Sequence, residues 1–318
     1  MLPLQQAREV RDSVIEYIKA TFRFKEKDVS DAFYRFIEDK KNGLFKGPYV
    51  SLKTPFVSAT KEESENIPLD ITPSFPPYKH QLQAFRQLSM KNGHKPEPTL
   101  LTTGTGSGKT ECFLYPILDY CFHCNQYERQ TGVKVIIMYP MNALASDQAK
   151  RLAETIWNDP RLKGKVTAGL FVGEGVNAQD YPRDMGEDHI IENRNAIIDT
   201  VPDILLTNFK MLDYGLMRQE FMPLWKGNID TEEKVLRFIV LDELHTYDGA
   251  QGTDVANLIR RLKLKLNLPK ASLCPIGTSA TIGNGEDSKA RLCEYATNVF
   301  GEQFREECVI EEHRIPVE

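Results

Sequence analysis

Residues 100–113 read LLTTGTGSGKTECF, an apolar run that breaks into glycines and resumes as a helical pattern near Lys109. Gly104, Gly106 and Gly108 let the backbone curl so that its N–H groups face inward, and the helix N-terminus adds its dipole. Such a turn is a cradle for phosphate. On this reading Thr105, Gly106, Ser107, Gly108, Lys109 and Thr110 hold a nucleotide, with Lys109 reaching the β and γ phosphates and Thr110 ligating Mg²⁺. A nucleotide with Mg²⁺ is the expected cofactor. The pattern G-x-x-x-x-G-K-[ST] asks for glycine at position 103, where this chain has Thr103, but the Gly-Lys-Thr core and the strand-to-helix context are intact.

Around the loop, short apolar runs recur: PTLLTT, VKVIIMYP, TAGLFVG, PDILLTN, RFIVLDE and LCPIGTSAT, separated by segments of helical periodicity. Runs rich in Val, Ile and Leu joined by helices are what a parallel sheet covered on both faces requires. The expected fold is α/β, a doubly wound parallel sheet over residues 76–318. One segment, EGVNAQDYPRDMGEDHIIENRNAIIDTV, interrupts the alternation and reads as a long loop ending in a short helix. Residues 1–75 read as an appendage: two amphipathic helices (QQAREVRDSVIEYIKATF and VSDAFYRFIEDKK), then an extended connector rich in Pro, Gly, Ser and Thr.

A phosphate loop needs an acidic partner on a neighbouring strand, and RFIVLDELH supplies Asp242 and Glu243 where an apolar strand ends. Asp242 is placed for the metal, through water. Glu243 is placed to orient and deprotonate an attacking water, which favours a hydrolase over a kinase. Adjacent carboxylates on a strand point to opposite faces, but a chain that is turning can present both to one site.

The 318 residues and 41% hydrophobic content allow a substantial core. A net charge of −5 leaves no global basic signature, so contact with nucleic acid needs a local groove. The N-terminus shows neither signal peptide nor membrane span, which points to the cytoplasm and to no membrane partner. Of six cysteines, Cys121 and Cys124 in CFHC have the spacing of a metal half-site, yet no second pair accompanies them; reduced cysteines on one helix are expected.

In DELH, followed downstream by Ser279, Ala280 and Thr281, the chain resembles motifs II and III of superfamily 2 helicases of the DEAD/DEAH type. PYKHQLQAF resembles the adenine-reading motif, with Gln81 able to pair with the base edge and Tyr78 as a stacking ring. YPMNALASDQ and DILLTNFKMLDYGLMR resemble motifs Ia and Ib, which in the family touch the tracked strand's backbone. LDELHTYDGAQGTDVANLIRRLK is similar to the matching stretch of MrfA-like helicases, a DNA-repair group with relatives among large phage-defence helicases, and LFKGPYVSLKTPF looks like the leader of the latter.

The resemblance implies a RecA-like first motor lobe that binds ATP and single-stranded or duplex DNA. Asn142, Ser146, Gln148, Thr207 and Asn208 would meet the strand. His245 would join the nucleotide site with Lys109, Asp242 and Glu243, and Ser279 and Thr281 would couple it to the strand. Amides, hydroxyls and helix N-termini bind phosphates without reading bases. Backbone contacts do not declare the sugar, so RNA stays open. Arg260 and Arg261 are expected to serve packing, a surface or the strand path.

The chain ends at EEHRIPVE, soon after motif III, so the second lobe that the resemblance calls for is expected in cis or in trans, with defence-complex subunits as further partners. Alone, the chain is expected to bind ATP poorly and not to unwind. A catalytically silent nucleotide-binding module that docks on a partner is the alternative. A transporter-type ATPase would need a signature loop like LSGGQ, which does not occur.

Overall fold

A computed structural model describes residues 3–39, 41–46, 53–104, 106–127, 129–173, 181–279 and 287–316. The six apolar runs form β1 (Thr99–Thr102), β2 (Val135–Met138), β3 (Ala168–Phe171), β4 (Ile204–Thr207), β5 (Phe238–Leu241) and β6 (Cys274–Thr278). A seventh strand that the pattern did not announce, β7 (Val309–Glu311), lies beside β1. The sheet runs β3-β4-β2-β5-β6-β1-β7, and every ladder is parallel. This is the RecA-like helicase fold.

Because the sheet is covered on both faces, successive residues of a strand enter different cores. Phe238 and Val240 of β5 join one apolar cluster, and Ile239 and Leu241 join the other. The first cluster includes side chains of α4 (Lys79–Leu88), α5 (Lys109–Cys124) and α6 (Asn142–Asn158). The opposite cluster is built with α8 (Phe209–Met217), α9 (Met222–Asp230), α10 (Gly249–Lys265) and α11 (Ser288–Phe300). The short α7 (Arg194–Thr200) closes the polar segment between β3 and β4, as its sequence suggests.

The chain divides into Met1–Pro55 and Phe56–Pro316. The sheet unit therefore begins at Phe56 and not at residue 76. Connector residues earn their place in it through specific contacts. Val57 N donates to the carbonyl of His313 and Ala59 N to that of Pro77, both at 2.8 Å. The buried Asp119 of α5 accepts from the amides of Asp70 (2.7 Å) and Ile71 (2.8 Å). A short helix, α3 (Lys61–Glu65), is capped by Thr60 and Glu63. In the first unit, α1 (Pro3–Thr21) and α2 (Lys27–Glu38) are tied by a Lys19–Glu38 ion pair at 2.5 Å and by Tyr34 donating to Phe22 O at 2.9 Å.

At the opposite, amino-terminal edge of the sheet, Lys134 and Asp203 form a fully buried ion pair at 2.7 Å. Asp203 also accepts from Thr167 N at 2.7 Å, so one carboxylate ties the entries of β2, β3 and β4 together. Among the described residues, no helix is long and apolar enough to cross a membrane.

Candidate nucleotide site and strand-facing surface

The phosphate loop leaves β1 and enters α5, with Gly106 at φ +80° and Gly108 at φ +76°, a region that side chains avoid. A Cβ on Gly108 would also stand 2.3 Å from Gln81 Nε2. Thr103, in place of the expected glycine, shares a hydrogen bond with Ser107 at 2.6 Å between their hydroxyl oxygens, closing the loop across its base. The loop lines a cleft of about 780 Å³ together with Ser58, Phe75, Pro76, Tyr78, Gln81, Gln148, Arg151 and Glu243. Thr110, expected at the metal, also lines it. Thr105 and Thr281 lie outside the described residues.

The acidic pair stands where β5 ends. Glu243 adopts φ +50°, so the chain turns at once; Glu243 lines the cleft with the loop and Asp242 stays within the influence of the Lys109 charge. This turn is held by Thr278 at the end of β6: its hydroxyl donates to Asp242 Oδ1 at 2.5 Å and accepts from Glu243 N at 3.0 Å. Burial pushes the Asp242 carboxyl above its ordinary range, and the Thr278 bond and the Lys109 charge oppose that rise. A half-buried carboxylate and a hydroxyl in the cleft are oxygen donors of the kind Mg²⁺ takes, so Asp242 and Thr110 fit that ion.

Lys109 Nζ lies 3.6 Å from Glu243 Oε1 and donates to the carbonyl of Ser279 at 3.3 Å. His245 Nδ1 lies 3.4 Å from Glu243 Oε2 and 3.4 Å from Ser279 Oγ. Lys109, Asp242, Glu243, His245 and Ser279 are thus brought to one place. Sequence reasoning missed Thr278, which looks like any strand residue until β6 is paired with β5.

Gln81 is buried and both ends of its amide are engaged: Oε1 accepts from Tyr78 N at 2.8 Å, and Nε2 donates to Gly108 O at 3.2 Å. In this state it fastens α4 to the loop. Tyr78 stacks on His80 at 5.5 Å and 19°, while Phe75, 41% exposed, offers a freer ring over the same cleft.

At the ends of β4 and β2, Asn208 caps α8 by accepting from Met211 N at 2.9 Å and donates to Asn142 Oδ1 at 2.8 Å. The two motifs therefore meet at the ends of β4 and β2, and Ser146 is exposed one turn along α6. Two residues fall elsewhere. Thr207 is buried and its hydroxyl donates to Phe171 O at 2.6 Å, so it is spent on the sheet and not offered to a strand. Gln148 lines the nucleotide cleft, since a residue six positions from Asn142 sits about 120° away around the helix.

The CFHC segment turns inward. Cys121 is buried and Cys124 half-buried, and burial pushes both thiols up, away from the thiolate a metal needs. His123 instead lies 3.0 Å from Asp70 Oδ2, while Lys91 pairs with Asp70 Oδ1 at 2.6 Å. Arg261 pairs with Asp213 at 2.6 Å and Arg260 donates to Asn298 O at 3.0 Å, both at the exposed surface of α10.

A phosphate loop after β1, an acidic pair after β5 and a Ser279 turn after β6, all at the carboxyl edge of one parallel sheet, define a RecA-like nucleotide-binding domain. The chain belongs to the DEAD/DEAH box helicase family, which it matches over residues 78–288. It is 27% identical over 328 aligned residues to the Druantia protein DruE of Escherichia coli (strain UMEA 4076-1), covering 74% of this chain and 17% of that protein. It is 29% identical over 215 residues to YprA of Bacillus subtilis (strain 168), described as an uncharacterized ATP-dependent helicase, covering 68% of this chain and 24% of that protein. The crystal structure of the DUF1998 helicase MrfA bound to DNA and AMPPNP is similar, with a TM-score of 0.53 and 25% identity over 83% of this chain and 31% of that one. The chain thus spans less than a third of each of these relatives.

Proposed function

We propose that this chain is the ATP-binding lobe of an ATP-dependent DNA helicase or translocase that serves DNA repair or phage defence and is completed by a second lobe in cis or in trans. The observation that carries the reading is the convergence of Lys109, Glu243, His245 and Ser279, with Asp242 braced by Thr278, at the mouth of the phosphate loop. The DNA and AMPPNP in the MrfA structure support the choice of ligands.

Within this reading the residues divide the work. The loop amides and Lys109 hold the phosphates, and release of Lys109 from Glu243 frees that carboxylate. Asp242 and Thr110 would hold Mg²⁺, which when bound neutralises charge on the phosphates. Glu243 then accepts the proton of the attacking water, and His245 and Ser279, in contact with Glu243 and Lys109, relay the state of the site toward the strand. Asn142, Asn208 and Ser146 meet the backbone of DNA through hydroxyl and amide groups that do not read bases.

ATP turnover of the full-length gene product, with and without single-stranded DNA, tests this. Glu243→Gln should abolish turnover while ATP still binds, and Lys109→Ala should lose both. Normal turnover by Glu243→Gln would count against the assignment.

A further inference from the structure

The phosphate loop is held from outside at three of its own polar groups. His80 Nε2 lies 2.8 Å from Ser107 O, Gln81 Nε2 donates to Gly108 O at 3.2 Å, and Gly104 N donates to Glu312 Oε2 at 2.7 Å. The first two side chains come from α4. The third comes from the segment after β7, far along the chain.

An acidic side chain beside a loop that binds an anion is electrostatically unfavourable unless its charge is cancelled. Arg314 does so: its Nε donates to the other carboxylate oxygen, Glu312 Oε1, at 2.6 Å. The guanidinium in turn lies over the Phe56 ring, 4.1 Å from its centroid, and Phe56 forms an antiparallel bridge with Arg314. Phe56 packs against His80 with ring centroids 5.6 Å apart, which closes a ring of contacts from Gly104 back to Ser107. Gly104 is held on both sides, its amide by Glu312 and its carbonyl by the Ser107 amide at 3.3 Å, so Glu312 fixes the entry of the loop.

We infer that Glu312 is a positioning residue for the phosphate loop: it fixes the Gly104 amide so that the turn through Lys109 is formed before nucleotide arrives, and Arg314 shields its charge from the phosphates. The inference rests on the nucleotide reading above. Glu312 acts through the backbone of Gly104.

The test is binding of AMPPNP with Mg²⁺ to this chain together with the second lobe proposed above, followed by calorimetry, with circular dichroism and the thermal midpoint as controls for folding. Glu312→Ala should weaken binding about tenfold, the scale of one lost hydrogen bond to a charged group. Glu312→Gln keeps a carbonyl acceptor and should bind within about twofold of the natural chain. Arg314→Ala leaves the carboxylate unshielded and should weaken binding most at low salt. Adding Glu312→Gln to Arg314→Ala should then restore it, and this pair carries the test if Glu312→Ala does not fold. Unchanged binding by Glu312→Ala, or Glu312→Gln as weak as Glu312→Ala, overturns the inference. Lys109→Ala distinguishes the two levels: if it too binds normally, the nucleotide reading falls and takes the role of Glu312 with it.

Discussion

Replacing Thr278 by valine removes one hydroxyl and leaves the side-chain volume almost unchanged. In the folded chain that hydroxyl is fully buried, donates to Asp242 Oδ1 at 2.5 Å and accepts from Glu243 N at 3.0 Å. Valine withdraws a donor from a carboxylate and an acceptor from an amide at once, which together cost about 2–4 kcal/mol. The amide in question belongs to Glu243, whose left-handed backbone (φ +50°) is itself unfavourable by roughly 1–2 kcal/mol and depends on such a tether. Urea unfolding should therefore show Thr278→Val destabilised by that amount, equivalent to about 2–4 °C per kcal/mol in thermal midpoint for a unit of this size.

The functional effect should be larger than the structural one. Once its tether is gone, Glu243 can relax toward an ordinary backbone and carry its carboxylate away from Lys109, now 3.6 Å distant. A displacement of about 1 Å at a reacting group can lower turnover about 10²-fold. Thr278→Ser keeps the hydroxyl and gives up one methyl, about 1 kcal/mol, with turnover largely preserved. Wild-type unfolding and turnover in Thr278→Val would refute the reasoning, and Thr278→Ser as damaged as Thr278→Val would assign the effect to methyl packing instead.

Two further outcomes are expected. Lys134→Met strands the fully buried Asp203 without its ion pair and should lower the stability of the sheet unit by about 3–5 kcal/mol in urea, while a smaller loss would mean that Arg129, 4.0 Å away, takes over the carboxylate. Asp242 has a pKa raised on folding, chiefly by burial. The native state therefore holds its proton more tightly than the unfolded chain does, and ionising Asp242 subtracts stability as pH rises from near 3.8 through its folded pKa. Asp242→Asn should accordingly be more stable than the natural chain near neutral pH without Mg²⁺, lose that advantage in acid, and support no turnover. A stability difference that does not change across a pH series of unfolding curves would contradict this.

The elements most legible in the sequence were those with a physical reason to look alike. A strand buried on both faces is mostly apolar, so FIVL of β5 and VIIM of β2 stood out, and the glycines of the phosphate loop marked a turn that few other residues allow. Strand β7 was hidden because it is three residues long and contains a glutamate; its identity comes from pairing Leu100 with Val309 and Leu101 with Ile310. Direction was harder to read than chemistry. Thr207 has a hydroxyl suited to a phosphate, but in β4 it points into the sheet and bonds Phe171. Gln148 has a suitable amide, but the helix turns it toward the nucleotide cleft. Glu312 and Thr278 gain their meaning only when distant strands are laid side by side.

That arrangement also constrains how the two halves of the site can communicate. Between β1, which carries the phosphate loop, and β4, which carries Asn208, the sheet interposes β6, β5 and β2. Four steps at the usual strand spacing amount to about 19 Å, too far for a direct contact between nucleotide and strand residues. One route for a signal crosses β6 and β5, where Thr278 joins Asp242 to Glu243 and where Ser279 touches both Lys109 and His245, and a second runs along α6 from Gln148 in the cleft to Asn142. From β5 the next step is to β2, whose end leads to Asn142, bonded to Asn208. If this is the route, Thr278→Val should lower the stimulation of turnover by DNA as well as turnover itself. Substitution at the Asn142–Asn208 bond should lower stimulation alone and leave basal hydrolysis in place.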